Sequence, residues 1–408
     1  GLFFMSKFNI SSKKISDLQK KYEVKTNERQ LKNFLKSCAF LVLALMSVYH
    51  FYASGFGTIR EILHRGIHIS FVIGLVFIFY SWKKIDNSKK NSKTPFIDII
   101  LSILVVVSAL YLPLLPPEVL APRVGNPKNI DIIMGSFLIV LTLEAARRSV
   151  GFTLPFICLL FIFFAMFGPY FPGALKHGGT SWVGFVNHIY LTNQGIYGIA
   201  VGVMAQYVFL FILFGVLATR IGLGQLFIDL AMVIAGKYSG GPAKVAIFSS
   251  AFLGTISGSS IANTVTTGSL TIPAMKKVGY PPHFSGAVEA TASTGGQITP
   301  PILGAAAFIM VEYLEVPLRD ILAAALIPAL LHYFGIFIMV HLEAKKLGLR
   351  GLTDEEVPKF LSVIKDNWMS LAPLILLVYL ILIGRTPDYA AVISIIACVL
   401  IGFVKKTN

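Results

Sequence analysis

Charge is scarce in this chain of 408 residues: Asp, Glu, Lys and Arg make up 13% of it, where a soluble domain carries roughly a quarter. With hydrophobic residues at 55%, that deficit excludes an ordinary water-soluble fold. Cysteine is scarcer still. Cys38, Cys158 and Cys398 lie in or beside apolar runs without CxxC spacing, so neither a disulfide framework nor a cysteine zinc site is indicated. The eight histidines are scattered and form no HExxH. Paired acidic clusters such as DDxxD are missing, and so is an interfacial Ser/His/Asp set, which argues against a membrane-embedded enzyme. The nearest string to a Walker A loop, "AMVIAGKYS", lacks the first Gly and the Ser or Thr directly after Lys. A static pore needs a ring of filter residues, and nothing here supplies one.

What is present is a series of apolar runs of spanning length, at about 37–56, 67–82, 96–116, 130–146, 152–171, 197–219, 320–342, 369–384 and 388–404. A broken run at 283–312 adds another. The first run follows a basic tail and lacks a small-residue cleavage site, so a cleaved signal peptide does not fit. The expected fold is an all-α polytopic membrane protein with about ten crossing helices, one of them discontinuous, plus one re-entrant helical hairpin. Two further stretches, 181–191 and 224–236, read as helices lying along the interface.

The net charge of +15 follows the loops between these runs rather than a nucleic-acid face. If 245–275 enters the bilayer and returns to the same side, 28 Lys and Arg lie on the side of the N-terminal tail and seven on the other. If it crosses once, the split falls to 21 and 14. The positive-inside rule favours the return and places the N-terminus in the cytoplasm.

The hairpin segment, "GTISGSSIANTVTTGSLTIPAM" at 254–275, is uncharged and crowded with Ser and Thr. Its break is expected at Ser257–Ser260, where Gly258 permits backbone shapes a helix excludes, and Pro273 marks its exit. Non-helical backbone at membrane depth is tolerated only where it is buried in protein or lines a cavity. Helix ends with neutral Ser, Thr and Asn oxygens suit a weakly held Na⁺. Without a carboxylate cluster, Ca²⁺ is not indicated. Close helix packing through small residues is the competing reading. In the segment 286–310, Gly295, Gly296, Pro300 and Pro301 interrupt a helix, which predicts unwinding over 294–301. Glu289 is the only carboxylate between Ile272 and Val311. It could relay protons or balance a cation, or sit on a helix face directed at the cytoplasmic entrance. Glu144 with Arg147 and Arg148 reads as a local ion pair.

"GTISGSSIANTVTTGSLTIPAMKKVGY" followed by "ATASTGGQITPPILGAAAFIM" resembles the large membrane subunit of tripartite ATP-independent periplasmic (TRAP) transporters, above all the fused permeases that work with a TAXI-type binding protein. "LEAARRSVGFTLPF" and the four spans before it resemble the small, DctQ-like subunit fused ahead. The resemblance covers about 40–404. The basic tail at 1–36, placed in the cytoplasm by its charge, precedes it, and the resemblance implies a four-helix small-subunit-like domain at 37–150. Scaffold and arm helices would occupy 151–244, the hairpin and discontinuous helix of the transport domain 245–312, and further helices 313–408.

The same resemblance implies an elevator-type importer of organic acids, coupled to Na⁺ and without a cofactor, in the bacterial inner membrane. A periplasmic protein would deliver the substrate. Ser257, Gly258, Ser259, Ser260 and Asn263 would lie at the hairpin's ion site, with Thr294, Gly295, Gly296 and Thr299 in the unwound helix. The family's large subunit has two inverted repeats, and only one is found here. The chain is therefore expected to be a truncated or split product, inactive alone or completed by another polypeptide.

Overall fold

The computed structural model describes residues 26–405, leaving aside 30, 32, 58 and 86–94. Most of the basic tail, residues 1–25, lies outside the described residues. The chain divides into two compact units, one up to Ala205 and one from Gln206 onward.

The first unit holds α1 (Asn33–Gly55), α2 (Glu61–Phe79), α3 (Phe96–Tyr111), α4 (Asn129–Ser149) and α5 (Thr153–Met166). A short antiparallel ribbon pairs β1 (Thr26–Glu28) with β2 (Tyr80–Ile85); the apolar run expected to 82 therefore ends as helix at Phe79. Phe77, Val105, Leu141 and Ala145 fill one core between α2, α3 and α4. A second core gathers Ile69, Ala109, Leu138, Tyr190 and Tyr197. Backbone chemistry explains part of that second core. Pro113 has no N–H for the Ala109 carbonyl at the end of α3, and the Tyr197 hydroxyl donates to that carbonyl at 2.8 Å. The segment expected along the interface at 181–191 forms a helix at Trp182–Val186 and a wider π turn at Asn187–Leu191.

The ion pair read at Glu144 is part of a larger network. Glu144 accepts from Arg147 at 2.7 Å and Arg148 at 2.8 Å. Arg148 also reaches Asp98 at 2.8 Å, and Asp98 holds Arg29 at 2.5 Å. Arg29, Asp98 and Arg148 are all buried. The Arg147 and Arg148 guanidinium groups both lie over the Trp82 ring, tying the ribbon to α4.

From α6 (Ile199–Arg220) the chain enters the second unit. There it forms α7 (Leu223–Ala235), α8 (Gly241–Ser257), α9 (Ser260–Val278), α10 (Pro282–Thr294), α11 (Ala305–Leu314), α12 (Leu318–Lys346), α13 (Phe360–Asn367), α14 (Ala372–Leu382) and α15 (Pro387–Val404). Ala243, Ala246 and Ile247 of α8 pack with Val288 and Ala292 of α10 and Ile336 and Val340 of α12. The other side of α12 exposes Leu330, Leu331, Phe334 and Met339. An apolar face of that size on a helix of 29 residues is what lipid contact requires.

Six helices among the described residues are long and apolar enough to cross a membrane: α1 from Phe34, α2, α4, α6, α12 and α15. The runs at 96–116, 152–171 and 369–384 give shorter helices, which stop before Pro113, Gly168 and the left-handed Gly384.

Candidate functional site at a helical hairpin and an interrupted helix

Helices α8 and α9 form an antiparallel hairpin joined by two residues, Gly258 and Ser259. Their 17 and 19 residues make legs roughly 26 and 29 Å long, well beyond the half-depth legs expected from 245–275. The turn is a local consequence of sequence. Gly258 adopts φ +57°, the left-handed shape that ends α8. A Cβ there would lie 2.0 Å from the Leu303 carbonyl oxygen, so the position demands glycine twice over. Ser259 caps α9, its side chain accepting from the Ala262 N–H at 3.3 Å. Pro273 lies inside α9 instead of marking its exit. The missing N–H costs one helical bond, to the Ser269 carbonyl on an exposed face.

The interrupted helix is equally legible. Thr294 is the last residue of α10; Gly295–Ile298 tighten into a 3₁₀ turn, and the backbone is non-helical to Gly304. The unwound stretch thus runs about 295–304, against 294–301 expected. Pro301 has no N–H for the Gln297 carbonyl, and the Gly304 N–H donates to it at 2.7 Å. Helix α11 then starts afresh at Ala305.

These two breaks meet. A Cβ on Gly254 would fall 2.6 Å from the Gly296 Cα, so only two glycines allow the backbones to approach this closely. The Gln297 amide donates to Ser260 Oγ at 3.0 Å. Thr299 is buried, donates to the Gly295 carbonyl at 2.7 Å and bonds the Tyr333 hydroxyl of α12 at 3.0 Å. Asn263 is 1% exposed. Its Nδ2 donates to the Ser250 carbonyl at 2.8 Å, and its Oδ1 is buried with no hydrogen-bond partner. Ser257 and Ser259 are half-buried and bond each other at 3.4 Å. Thr294 stands apart: it is exposed, and its hydroxyl turns back to the Ala290 carbonyl at 2.8 Å.

The C-terminal ends of α8 and α10 and the N-terminal ends of α9 and α11 therefore converge on one place. Free carbonyls favour a cation there and free N–H groups an anion. A cleft of about 390 Å³ opens beside the turn, lined by Ser257, Ser259 and Asn263 of the hairpin and by Gly215, Thr219 and Arg220 of α6. The α6 wall escaped sequence reasoning, because α6 reads as a plain apolar span. The one signal was Gly215, where a Cβ would lie 2.4 Å from the Ile256 carbonyl oxygen.

Glu289 sits on a different level of the same bundle and is fully buried. Thr267 and Thr271 of α9 bond its two carboxyl oxygens, Ser293 of α10 donates at 3.1 Å, and Ser250 of α8 lies at 3.4 Å. The Glu289 side chain thus joins both legs of the hairpin to α10 and does not face an entrance. Its spacing of four from Ser293, and that of Thr267 from Thr271, were the available clues.

Residues 137–408 match the family model for the tripartite ATP-independent periplasmic transporter, DctM component. The chain is 28% identical over 188 residues to the C4-dicarboxylate TRAP transporter large permease protein DctM of Pseudomonas aeruginosa, covering 45% of this chain and 43% of that protein. It is 29% identical over 199 residues to the isethionate TRAP transporter permease protein DctMQ of Oleidesulfovibrio alaskensis, covering 47% and 30%. It is 25% identical over 195 residues to the sialic acid TRAP transporter large permease protein SiaM of Vibrio cholerae, covering 48% and 45%. The chain thus spans less than half the length of each of these relatives.

Proposed function

The chain belongs to the DctM-component family of tripartite ATP-independent periplasmic transporters, and on that premise we propose that it is a permease component of a Na⁺-coupled importer of organic acids. It receives its substrate from a TAXI-type periplasmic binding protein and works in the bacterial inner membrane. The relatives named for a substrate are permeases for C4-dicarboxylate, isethionate and sialic acid, all organic anions. Residues 37–150 play the part of a fused small subunit. The hairpin α8–α9 with α10 and α11 belongs to the part that moves, elevator fashion, between the two faces of the membrane. The chemistry is passage and not bond-making, so no cofactor is called for.

The observation that carries this reading is the meeting of the Gly258–Ser259 turn with the Gly295–Gly304 break around Asn263, whose buried amide oxygen has no partner. An uncharged oxygen held at converging helix ends suits a cation bound weakly enough to be released. Asn263 is the first candidate ligand, with Ser257, Ser259, Ser260, Thr299 and the carbonyls beside Gly258, Gly295 and Gly296 as the remaining field. Thr294 is the weakest member of the expected set, since its hydroxyl faces away.

The test is uptake of radiolabelled carboxylates into vesicles that carry the permease with its binding protein, with and without an inward Na⁺ gradient. Uptake should rise with the gradient, and Asn263→Ala should shift the Na⁺ half-saturation upward about tenfold, equivalent to about 1.4 kcal/mol of binding. Equal uptake in the two conditions removes the coupling claim.

A further inference from the structure

The buried Glu289 carboxyl has partners of one kind only. All four are hydroxyls, contributed by Ser250, Thr267, Thr271 and Ser293. Among the described residues no Lys, Arg or His stands within ion-pair distance of it. The titratable groups on the elements packed around it are engaged elsewhere or lie at helix ends. Lys244 of α8 bonds His341 of α12 at 3.0 Å. His332 bonds the Thr291 carbonyl at 3.1 Å, and Tyr333 bonds Thr299 at 3.0 Å. Lys276 and Lys277 of α9 and His283 of α10 are exposed near the ends of those helices.

A bare carboxylate in such a place has no counter-charge, and burying an uncompensated charge is among the costliest arrangements a fold can adopt. The hydroxyls supply a second argument. Thr267 Oγ1 is 2.8 Å from the Asn263 carbonyl, and Thr271 Oγ1 is 3.0 Å from the Thr267 carbonyl. A threonine hydroxyl has one proton and two lone pairs. The acid has a single hydrogen to give: where the Thr271 proton rests on the Thr267 carbonyl, a lone pair faces Oε2 and that contact is a hydrogen bond only if Oε2 provides the hydrogen, while Thr267 turns its own proton to Oε1.

We propose that Glu289 is a proton-binding site: its Oε2 carries a proton and donates it to Thr271, while Oε1 accepts from Ser293, latching α9 and α8 onto α10. Loss of the proton leaves a buried charge among groups that cannot neutralise it. Release of the latch and release of the proton are therefore linked, and the hairpin separates from α10 more readily once the carboxyl is ionised. Ser250 and Thr267 lie between this carboxyl and Asn263, but the proposal does not depend on Na⁺ coupling.

The test needs no transport measurement. Infrared spectra of the purified full chain in nanodiscs are compared for wild type and Glu289→Gln at neutral pH, beside melting curves for these two and Glu289→Ala. The wild type should show the carbonyl stretch of a protonated carboxylic acid, absent from Glu289→Gln. An amide replaces both the donor and the acceptor of the acid, so Glu289→Gln should melt at the wild-type temperature and Glu289→Ala lower. Raising the pH should lower the wild-type melting temperature and leave Glu289→Gln flat. A wild-type spectrum without the acid band, or a Glu289→Gln variant that melts as low as Glu289→Ala, overturns the proposal.

Discussion

At the tightest turns of this chain the backbone around a residue fixes its identity. Gly258 is the clearest case. Its φ of +57° costs an L-residue roughly 1–2 kcal/mol, and the Leu303 carbonyl leaves no room for a methyl group. Gly258→Ala should therefore destabilise the hairpin by more than about 2 kcal/mol, seen as a lower melting temperature and faster proteolysis between α8 and α9. Gly222 makes a useful control: it is also left-handed, at φ +104°, but lies away from the hairpin turn. Tyr333 gives a milder test. Tyr333→Phe keeps the ring and removes only the bond to Thr299, so the loss should be about 0.5–1.5 kcal/mol. A Tyr333→Phe variant as unstable as Gly258→Ala would mean that the hydroxyl does more than brace the broken helix.

At the scale of elements, local signals were readable and long-range ones were not. The turn at "SGSS" and the break at "GGQITPP" could be placed from sequence because Gly and Pro act within four residues of where they stand. The ends were harder. Pro273 reads as an exit, yet the packed neighbours of α9 keep it helical to Val278. The cage around Glu289 was beyond reach, since it joins residues 250, 267, 271, 289 and 293 through packing. The ribbon β1–β2 was likewise hidden, because three residues of a basic tail carry no strand pattern of their own. What fixes that ribbon is Asp98, which holds Arg29 beside it and Arg148 of α4. Asp98→Asn would leave the buried Arg29 without its paired carboxylate and Arg148 with Glu144 alone, a change worth about 3–5 kcal/mol. The expected outcome is a first unit that melts early while the second keeps its own transition. One shared, unshifted transition would show that the network adds little to stability.

For the molecule as a whole the deciding question is on which side of the membrane each loop lies, and the distribution of Lys and Arg favours one answer. The hairpin legs are each long enough to come close to spanning the bilayer, so leg length does not separate a return from a single crossing. The positive-inside rule favours a return. With a return at Gly258–Ser259, those of 220–244, 276–277 and 345–366 share the side of the tail, and Arg319 and Arg385 face the other. Single-cysteine variants should report this directly. Tyr238, which is 65% exposed, and Lys276, also exposed, flank the base of the hairpin. In inside-out vesicles of a cysteine-free background, Tyr238→Cys and Lys276→Cys should both react with a membrane-impermeant maleimide, and Arg385→Cys should not. In intact spheroplasts the pattern should invert. Reaction of Tyr238→Cys and Lys276→Cys from opposite sides would make 241–278 a single crossing and invert every later loop. The Asn263 turn would then no longer be the tip of a returning loop, and the case for a cation at that place would lose its structural ground.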